Sequence, residues 1–394
     1  MALSADGAHP KKRITIIGAG LAGLTLGRCL KHKGIPAVVY ERTSPARRHD
    51  YGITLRSSTY QPLLSMLQMD ESTFRNRLAV DAVRNGDQYL SSNGVCSSSF
   101  RCHRGKFEQL LRESLDINWS AQLKGIKIRP LSENSIAAAF EDPTHAAPQR
   151  YWVESQCLVG CDGPHSASRL SLGASVSMIK VLPFVVFNGK RHFSNDSYAK
   201  NISQYLQETL QITTRKGDIR LEISYGADKA DGAQISYIFS RPAREGVYDP
   251  LHKPDRKTFG AKDIPEEFYE ELKSLEPLLE EPFKSMFQAE SVRKDRVLHW
   301  LMRSVMPIPE QAQKLADHGV ILIGDAVHAV PILGGEGANM AIKDGINLAE
   351  HIAAKGLSDL RSFSVENHDI WKQAVIQSEE SLGKMHRDAP KSSL

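Results

Sequence analysis

The sequence predicts an α/β protein built from a Rossmann-type dinucleotide-binding lobe, an inserted, mostly antiparallel β-sheet lobe and a C-terminal helix. Three observations carry this. Residues Arg13 to Arg42, RITIIGAGLAGLTLGRCLKHKGIPAVVYER, read as strand, glycine turn, apolar helix and second strand. From about Met178 to Phe239 the pattern changes to period-two alternation, the signature of half-buried strands. Val320–Gly324 (VILIG) then returns to a continuous buried run that enters a glycine-broken loop and a long helix. At 394 residues the chain exceeds what one hydrophobic core usually serves.

Each part of the opening unit has a mechanical reason. Arg13–Ile17 is a β-branched run of the kind that makes a buried parallel strand. Gly18 permits the tight strand-to-helix turn, Gly20 lets the backbone approach a pyrophosphate, and Gly23 lets helix and strand pack closely. The phosphates would sit at the positive helix end. Glu41, at the end of the second strand, is placed to accept hydrogen bonds from an adenosine ribose. The motif does not choose between NAD and FAD.

Farther along, Thr43–Asp50 (TSPARRHD) is a polar loop that either brings Arg47 or Arg48 to the phosphates or stays a solvated basic loop. Ser58–Met69 is an expected helix, and Ser99–Leu115 a strand followed by an amphipathic helix with Phe107, Leu110, Leu111 and Leu115 on one face. Arg104 begins that helix against its dipole, which asks for another reason for its placement, such as an anionic or polyhydroxyl ligand. Lys124–Pro130, Ser135–Phe140 and Tyr151–Val159 read as strands, the last running into GCDGPHSASR at Gly160–Arg169. In the second lobe Val181–Asn188, Ile219–Tyr225 and Gln234–Phe239 are strands, interrupted by one helical candidate at Asp196–Gln207. The acidic helical region Pro265–Gln288 closes the lobe. The expected division is a disordered lead at 1–12, the first part of the nucleotide lobe at 13–177, the sheet lobe at 178–290, and the rest of the nucleotide lobe with C-terminal helices at 291–394.

Composition excludes several classes. A net charge of +4 with no lysine and arginine cluster among aromatics argues against nucleic acid. The five cysteines form no C-x-x-C pair and no metal-ligand spacing, which fits a reducing compartment. No run is long and apolar enough to span a bilayer, and the N-terminus lacks the apolar core of a secretory signal. The expectation is a cytoplasmic monomer or homodimer without metal.

GAGLAG with Glu41, then GCDGPHSASR, then GDAVHAVPILGGEGAN stand in this order along the chain. The combination resembles the class A flavoprotein monooxygenases of the p-hydroxybenzoate hydroxylase fold, from Arg13 to about residue 380. The compact length is similar to the tetracycline-inactivating and fungal secondary-metabolite members. The resemblance implies FAD as cofactor, held at Gly18, Ala19, Gly20, Leu21, Ala22, Gly23, Glu41, Arg42, Arg48, Gly52 and Arg104, at Asp162 and Gly163, and at Gly324, Asp325, Pro331, Gly335, Gly337, Ala338 and Asn339. Asp325 matches the aspartate that binds a ribityl hydroxyl. The helix N-terminus after Gly335 would face the flavin edge that gains negative charge on reduction. Asp162–Gly163 is associated with both FAD and the reduced nicotinamide. This chain carries Gly335-Glu336-Gly337 where G-Q-G is common, leaving the electrostatics there open, and Lys343-Asp344 where an acidic pair is usual.

The activity implied is FAD-dependent monooxygenation. NADPH or NADH reduces the flavin, O2 gives a C4a-hydroperoxide, and one oxygen atom passes to an aromatic, indolic or polyketide-like molecule. The cofactor carries the chemistry, and the protein binds, orients and excludes water. Arg191 and Tyr225 are the catalytic-site residues expected on the sheet over the flavin, since fungal members are similar in placing an arginine and a tyrosine there. A flavin oxidase or dehydrogenase on the same scaffold and a non-enzymatic flavoprotein are the alternatives.

Overall fold

The computed structural model describes residues 14–46, 51–81, 98–128, 136–144, 150–173, 179–206, 210–246, 248–256 and 258–387. Short apolar strands build a five-stranded sheet in the order Val320–Leu322, Cys157–Gly160, Ile14–Ile17, Ala37–Tyr40, Ile117–Asn118. Its neighbours all pair parallel, and Ile14–Ile17 is buried along its whole length, as a strand covered on both faces must be. Helix Leu21–His32 packs on this sheet and against helix Gly337–Lys355. The two helices cross closely because position 345 has no side chain: a Cβ there would lie 2.8 Å from the Ala22 carbonyl oxygen. Trp371 of the C-terminal helix Leu360–His386 joins the same core.

The expected strand Tyr151–Val159 divides into two. Arg150–Ser155 pairs antiparallel with Ile136–Glu141, in a three-stranded sheet completed by Gln122–Ile128. Cys157–Gly160 pairs parallel with Ile14–Ile17. One apolar run thus serves two sheets, and the chain changes sheet at Gln156.

The second lobe is an antiparallel sheet in the order Gln211–Lys216, Ile219–Lys229, Gly232–Pro242, Ile179–Ser194, Arg296–Val305. The last strand pairs with Ile179–Ser194, so the sheet reaches beyond the expected boundary at 290. Alternation gives the sheet two different faces. Val185, Phe187, Leu221, Ile223, Tyr225, Ile235, Tyr237 and Phe239 form one apolar face, covered by Phe268, Leu272, Met286 and Phe287. Phe187 stacks on Phe268 with centroids 3.8 Å apart. Each such fully buried ring stabilises the lobe by about 1.5–3 kcal/mol. On the opposite face, Val186, Ile238, Trp300 and Met302 meet Leu333 and Leu382, which belong to the nucleotide lobe and the C-terminal helix. That face therefore looks onto the nucleotide lobe. The expected acidic helix at 265–288 forms as short pieces, Glu266–Leu275, Glu276–Leu278 and Phe283–Phe287, followed by Ala289–Val292.

Candidate functional site

At the nucleotide end, Gly18 has φ +105°, which a side-chain-bearing residue rarely adopts, and a Cβ there would lie 2.5 Å from the Cys161 carbonyl oxygen. A Cβ at Gly23 would lie 2.1 Å from the Gly18 oxygen, whereas at Gly20 it would meet nothing within 4 Å. The outer surface of the Gly20 turn is thus open for a ligand, while Gly18 and Gly23 serve packing. Ala19, Leu21 and Ala22 are buried behind it. Buried Glu41 accepts from the Ala19 amide at 2.8 Å through Oε2, and from the Thr43 amide and hydroxyl at 3.0 and 2.8 Å through Oε1. The carboxylate is therefore anchored against the glycine turn. Helix Leu21–His32 has no acidic residue in its first turn, leaving its positive end uncompensated. Arg42 is exposed next to Glu41. Arg48 lies outside the described residues.

The other end of the site is the Gly324–Asp325 turn, with Gly324 at φ +61°. Asp325 has no hydrogen-bond partner among the described residues. Burial pushes its carboxyl upward, with His328 and Arg104 pulling the other way. Behind it, Asp344 accepts from the Gly324 amide at 2.7 Å and from Trp371 Nε1 at 2.9 Å, and lies 2.5 Å from His328 Nε2. Burial works against charge on His328, but Asp344 and Asp325 outweigh it and hold the imidazole above its ordinary value. Sequence reasoning passed over this hub: Asp344 lies 20 positions after Gly324, and its role shows only where helix Gly337–Lys355 packs back onto the turn. Arg169 was likewise missed as a brace. Its buried guanidinium donates to the Ala326 carbonyl through Nη1 and to the Pro164 carbonyl through Nη2, both at 2.6 Å, tying the Asp162–Gly163 loop to the Gly324–Asp325 turn.

Pro331 is buried, Gly335 sits at φ +69°, and helix Gly337–Lys355 starts with no acidic residue in its first turn. Ala338 lies on that first turn, packed against the nucleotide-lobe core. Glu336 is engaged by Arg56, so its charge is turned to an ion pair at the surface. Asn339 accepts from the Arg56 amide at 3.1 Å and donates to the Thr54 carbonyl at 3.0 Å, which locks the start of this helix to strand Gly52–Arg56. Arg104 donates to Tyr51 and, at 3.0 Å, to Glu108, a buried carboxylate one turn along. This ion pair accounts for an arginine at a helix N-terminus. Gly52 leaves room for Arg101, since a Cβ would lie 2.8 Å from its Nε. Arg101 reaches across to the second lobe, donating to the Tyr225 carbonyl, Gln211 Oε1 and Ser224 Oγ at 3.1, 3.3 and 3.1 Å. Asp162 accepts from the Ser168 amide at 2.9 Å and from the hydroxyls of Ser166 and Ser168, and Gly163 takes φ +82° beside it.

Arg191 and Tyr225 are placed on the helix-covered face of the sheet, away from the nucleotide lobe. Arg191 donates to Asp295 at 2.7 Å and to the carbonyls of Ser285 and Met286 at 3.1 and 3.0 Å. Tyr225 is fully buried in the second-lobe core, with its hydroxyl on Asp228. The physical reason is parity: both side chains have odd numbers on strands whose even-numbered residues face the flavin side. The structure thus corrects their reading as substrate contacts to one of packing and bracing.

Among the described residues no helix is long and apolar enough to cross a membrane. No group of three or more His, Cys, Asp or Glu able to hold a metal was found among them.

Comparison with known proteins agrees with this geometry. Residues 11–190 and 273–375, well over half of the chain, match the family described as an FAD binding domain. The FAD-dependent monooxygenase nscC of Neosartorya fischeri is 30% identical over 406 residues, covering 96% of both chains. The FAD-dependent monooxygenase adaC of Aspergillus niger is 28% identical, over 95% of this chain and 93% of its own. Klebsiella pneumoniae HpxO, solved with FAD and uric acid, superposes with a TM-score of 0.66 at 15% identity over 96% of this chain and 89% of its own. The match is interrupted between 190 and 273, a stretch that holds the strands Gln211–Lys216, Ile219–Lys229 and Gly232–Pro242 of the second-lobe sheet. The chain belongs to the class A FAD-dependent monooxygenases.

Proposed function

We propose that this enzyme uses NADPH or NADH and O2 to insert one oxygen atom, by hydroxylation or epoxidation, into an aromatic, indolic or polyketide-like small molecule of secondary metabolism. The observation that carries the reading is Asp325: a carboxylate with no hydrogen-bond partner among the described residues, beside a glycine turn and near a helix whose first turn holds no acid. That arrangement fits a ligand that brings hydroxyl donors to the carboxylate and partial negative charge to the helix end. When bound, FAD supplies the electron transfer and the activation of O2.

The chain's own residues then have distinct tasks. Gly18, Gly20 and Gly23 seat the pyrophosphate, and Glu41 takes the ribose. Asp325 accepts from the ribityl chain. The first-turn amides of helix Gly337–Lys355, with Pro331 as a rigid wall, face the pyrimidine edge and favour negative charge there. A nicotinamide dinucleotide is supported by the cations gathered at the Asp162–Gly163 loop. Burial, then Arg303, Arg169 and Arg42, depress the His165 imidazole; of these arginines Arg42 is exposed and free to meet a phosphate, while Arg169 is buried as a brace. The even-numbered sheet face over this site holds the substrate and keeps out water.

The test is the visible spectrum of purified protein, followed by anaerobic addition of NADPH or NADH with and without a panel of aromatic compounds. Oxidised-flavin bands, bleached faster with one compound, and an oxygenated product without stoichiometric peroxide are expected. Peroxide formation with no oxygenated product from any compound that accelerates bleaching would replace monooxygenation by an oxidase reaction.

A further inference from the structure

The sheet face that looks onto the flavin site is organised in three rows. The first is Gln211, Ser224, Ser236, Lys190 and Arg296, in register across five strands. The nucleotide lobe touches this row: Arg101 bonds Ser224 and Gln211, and Lys190 Nζ lies 5.5 Å from the Tyr51 ring centroid. The third row is Arg215, Arg220, Ser240, Val186 and Trp300. It is covered by the C-terminal helix and the flavin loop, through His386 on Ser240 at 2.9 Å and through Leu333 and Leu382 against Val186 and Trp300. Between these two lines of contact runs the second row: Thr213, Glu222, Ile238, Asn188 and Leu298. It forms the ceiling of the space between the lobes, open at its Thr213 edge, where the side chain is exposed.

Two polar groups stand in that ceiling. The Glu222 side chain is about nine-tenths buried, and its Oε2 is held by Arg220 Nη1 at 2.9 Å. Its Oε1 accepts no hydrogen bond from any described residue. Asn188, also buried, donates through Nδ2 to the Tyr237 carbonyl at 3.3 Å, and its Oδ1 accepts no hydrogen bond from any described residue. A half-satisfied buried carboxylate seeks a donor. Ile238 and Leu298 beside them in the row present apolar surface.

Resting on the flavoenzyme reading above, we propose that Glu222 and Asn188 are the specificity-determining residues of this enzyme. They select an uncharged fused-ring phenol, whose hydroxyl donates to Glu222, over ring systems that carry a carboxylate. A hydroxyl group replaces water at Glu222 Oε1 in a charge-assisted bond, while a carboxylate would face a like charge whose neighbouring cations are already engaged, Arg220 by Glu222 itself and Arg101 by Ser224, Gln211 and the Tyr225 carbonyl. The apolar side chains of Ile238 and Leu298 pack against the ring faces.

The experiment measures binding to oxidised, FAD-loaded enzyme by the flavin difference spectrum, without NAD(P)H, so that turnover is not the readout. The ligands are 1-naphthol and 1-hydroxy-2-naphthoate, and the proteins are wild type, Glu222→Gln and Glu222→Asp, each checked for FAD content. Wild type should prefer 1-naphthol by about tenfold or more, the scale of one charge-assisted hydrogen bond. Glu222→Gln keeps the shape and a partner for Arg220 and should lose most of that preference, gaining affinity for the carboxylate. Glu222→Asp, which keeps the charge with shorter reach, should weaken naphthol binding and still reject the carboxylate. Equal preference in wild type and Glu222→Gln, stronger binding of the carboxylate to wild type, or a yellow enzyme that binds neither compound would overturn the assignment and leave the flavin reading standing. A protein that stays colourless with added FAD would overturn the reading on which it rests.

Discussion

Replacing Asp344 by alanine tests whether the Gly324–Asp325 turn is held from behind. Its carboxylate takes the Gly324 amide at 2.7 Å, Trp371 Nε1 at 2.9 Å and His328 Nε2 at 2.5 Å, and all four groups are buried. Each donor stranded without water costs about 1–3 kcal/mol. Removing one partner of a buried ion pair costs about 3–5 kcal/mol. The contributions overlap, so the expected loss is about 4–6 kcal/mol, a large share of the roughly 5–15 kcal/mol by which a folded protein exceeds its unfolded state. Asp344→Asn keeps one acceptor and should lose about half as much. Urea unfolding of the FAD-free protein, read by tryptophan fluorescence, gives the stability, and flavin fluorescence gives the dissociation constant. Both variants should also release FAD more readily, because the turn bearing Asp325 is no longer fixed. An alanine variant within about 1 kcal/mol of wild type that binds FAD equally well would refute the reasoning, since no single remaining bond could hold the turn so closely.

Four further outcomes follow from the same geometry. His328 has a folded-state value above its unfolded one, so its contribution is complete below the unfolded value near 6.5 and is lost as pH rises through the folded value; the stability difference between wild type and His328→Asn, followed from pH 5 to 9, should shrink toward high pH, and a flat difference would show that the imidazole does not titrate with folding. Gly20→Val should fold, because its Cβ side is open, yet weaken FAD at least about a hundredfold by occupying the pyrophosphate's place; normal flavin content would mean the opening turn has another use. Asp325→Ala should weaken FAD about 10–100-fold while leaving the FAD-free protein as stable as before, since an unpartnered carboxylate contributes no protein bond. Arg191→Met leaves Asp295 with the Tyr237 hydroxyl alone among its described side-chain donors and should cost about 3 kcal/mol in urea unfolding with FAD affinity unchanged; a loss of turnover at unaltered stability would return Arg191 to the substrate.

Much of this fold could be read from the chain because the signals were local. The glycine spacing at 18, 20 and 23, the acid ending the second strand and the apolar strand before Gly324 each express a steric or electrostatic need within a few residues. Sheet membership was less legible: Tyr151–Gly160 carries one apolar pattern but divides between two sheets, and Arg296–Val305 joins a lobe that had seemed closed. The substrate face shows why. Alternation fixes that Phe184, Val186 and Asn188 share a side, but not which side meets the flavin. That depends on Leu333 and Leu382, residues far off in sequence; Arg191 and Tyr225, expected over the flavin from the family resemblance, lie on the opposite, helix-covered face. Asp344 was hidden for the same cause, as its partners Gly324, His328 and Trp371 lie 20, 16 and 27 residues away from it.

The bonds of Asn339 to the backbone at Arg56 and Thr54 set a schedule for the newborn chain. Arg56 and Asn339 are separated by 283 residues. At a synthesis rate of about 5–20 residues per second, roughly 15–60 s pass between the emergence of the first and that of the second. Throughout that interval the amino-terminal βαβ unit exists without the helix that covers it, its apolar surface at Leu24 and Ala22 awaiting Ile342 and Gly345. The early segment therefore depends on a chaperone or on transient self-contact until the last third arrives. Supplying FAD to a ribosome-bound chain truncated before Gly324 should bring it no protection from protease.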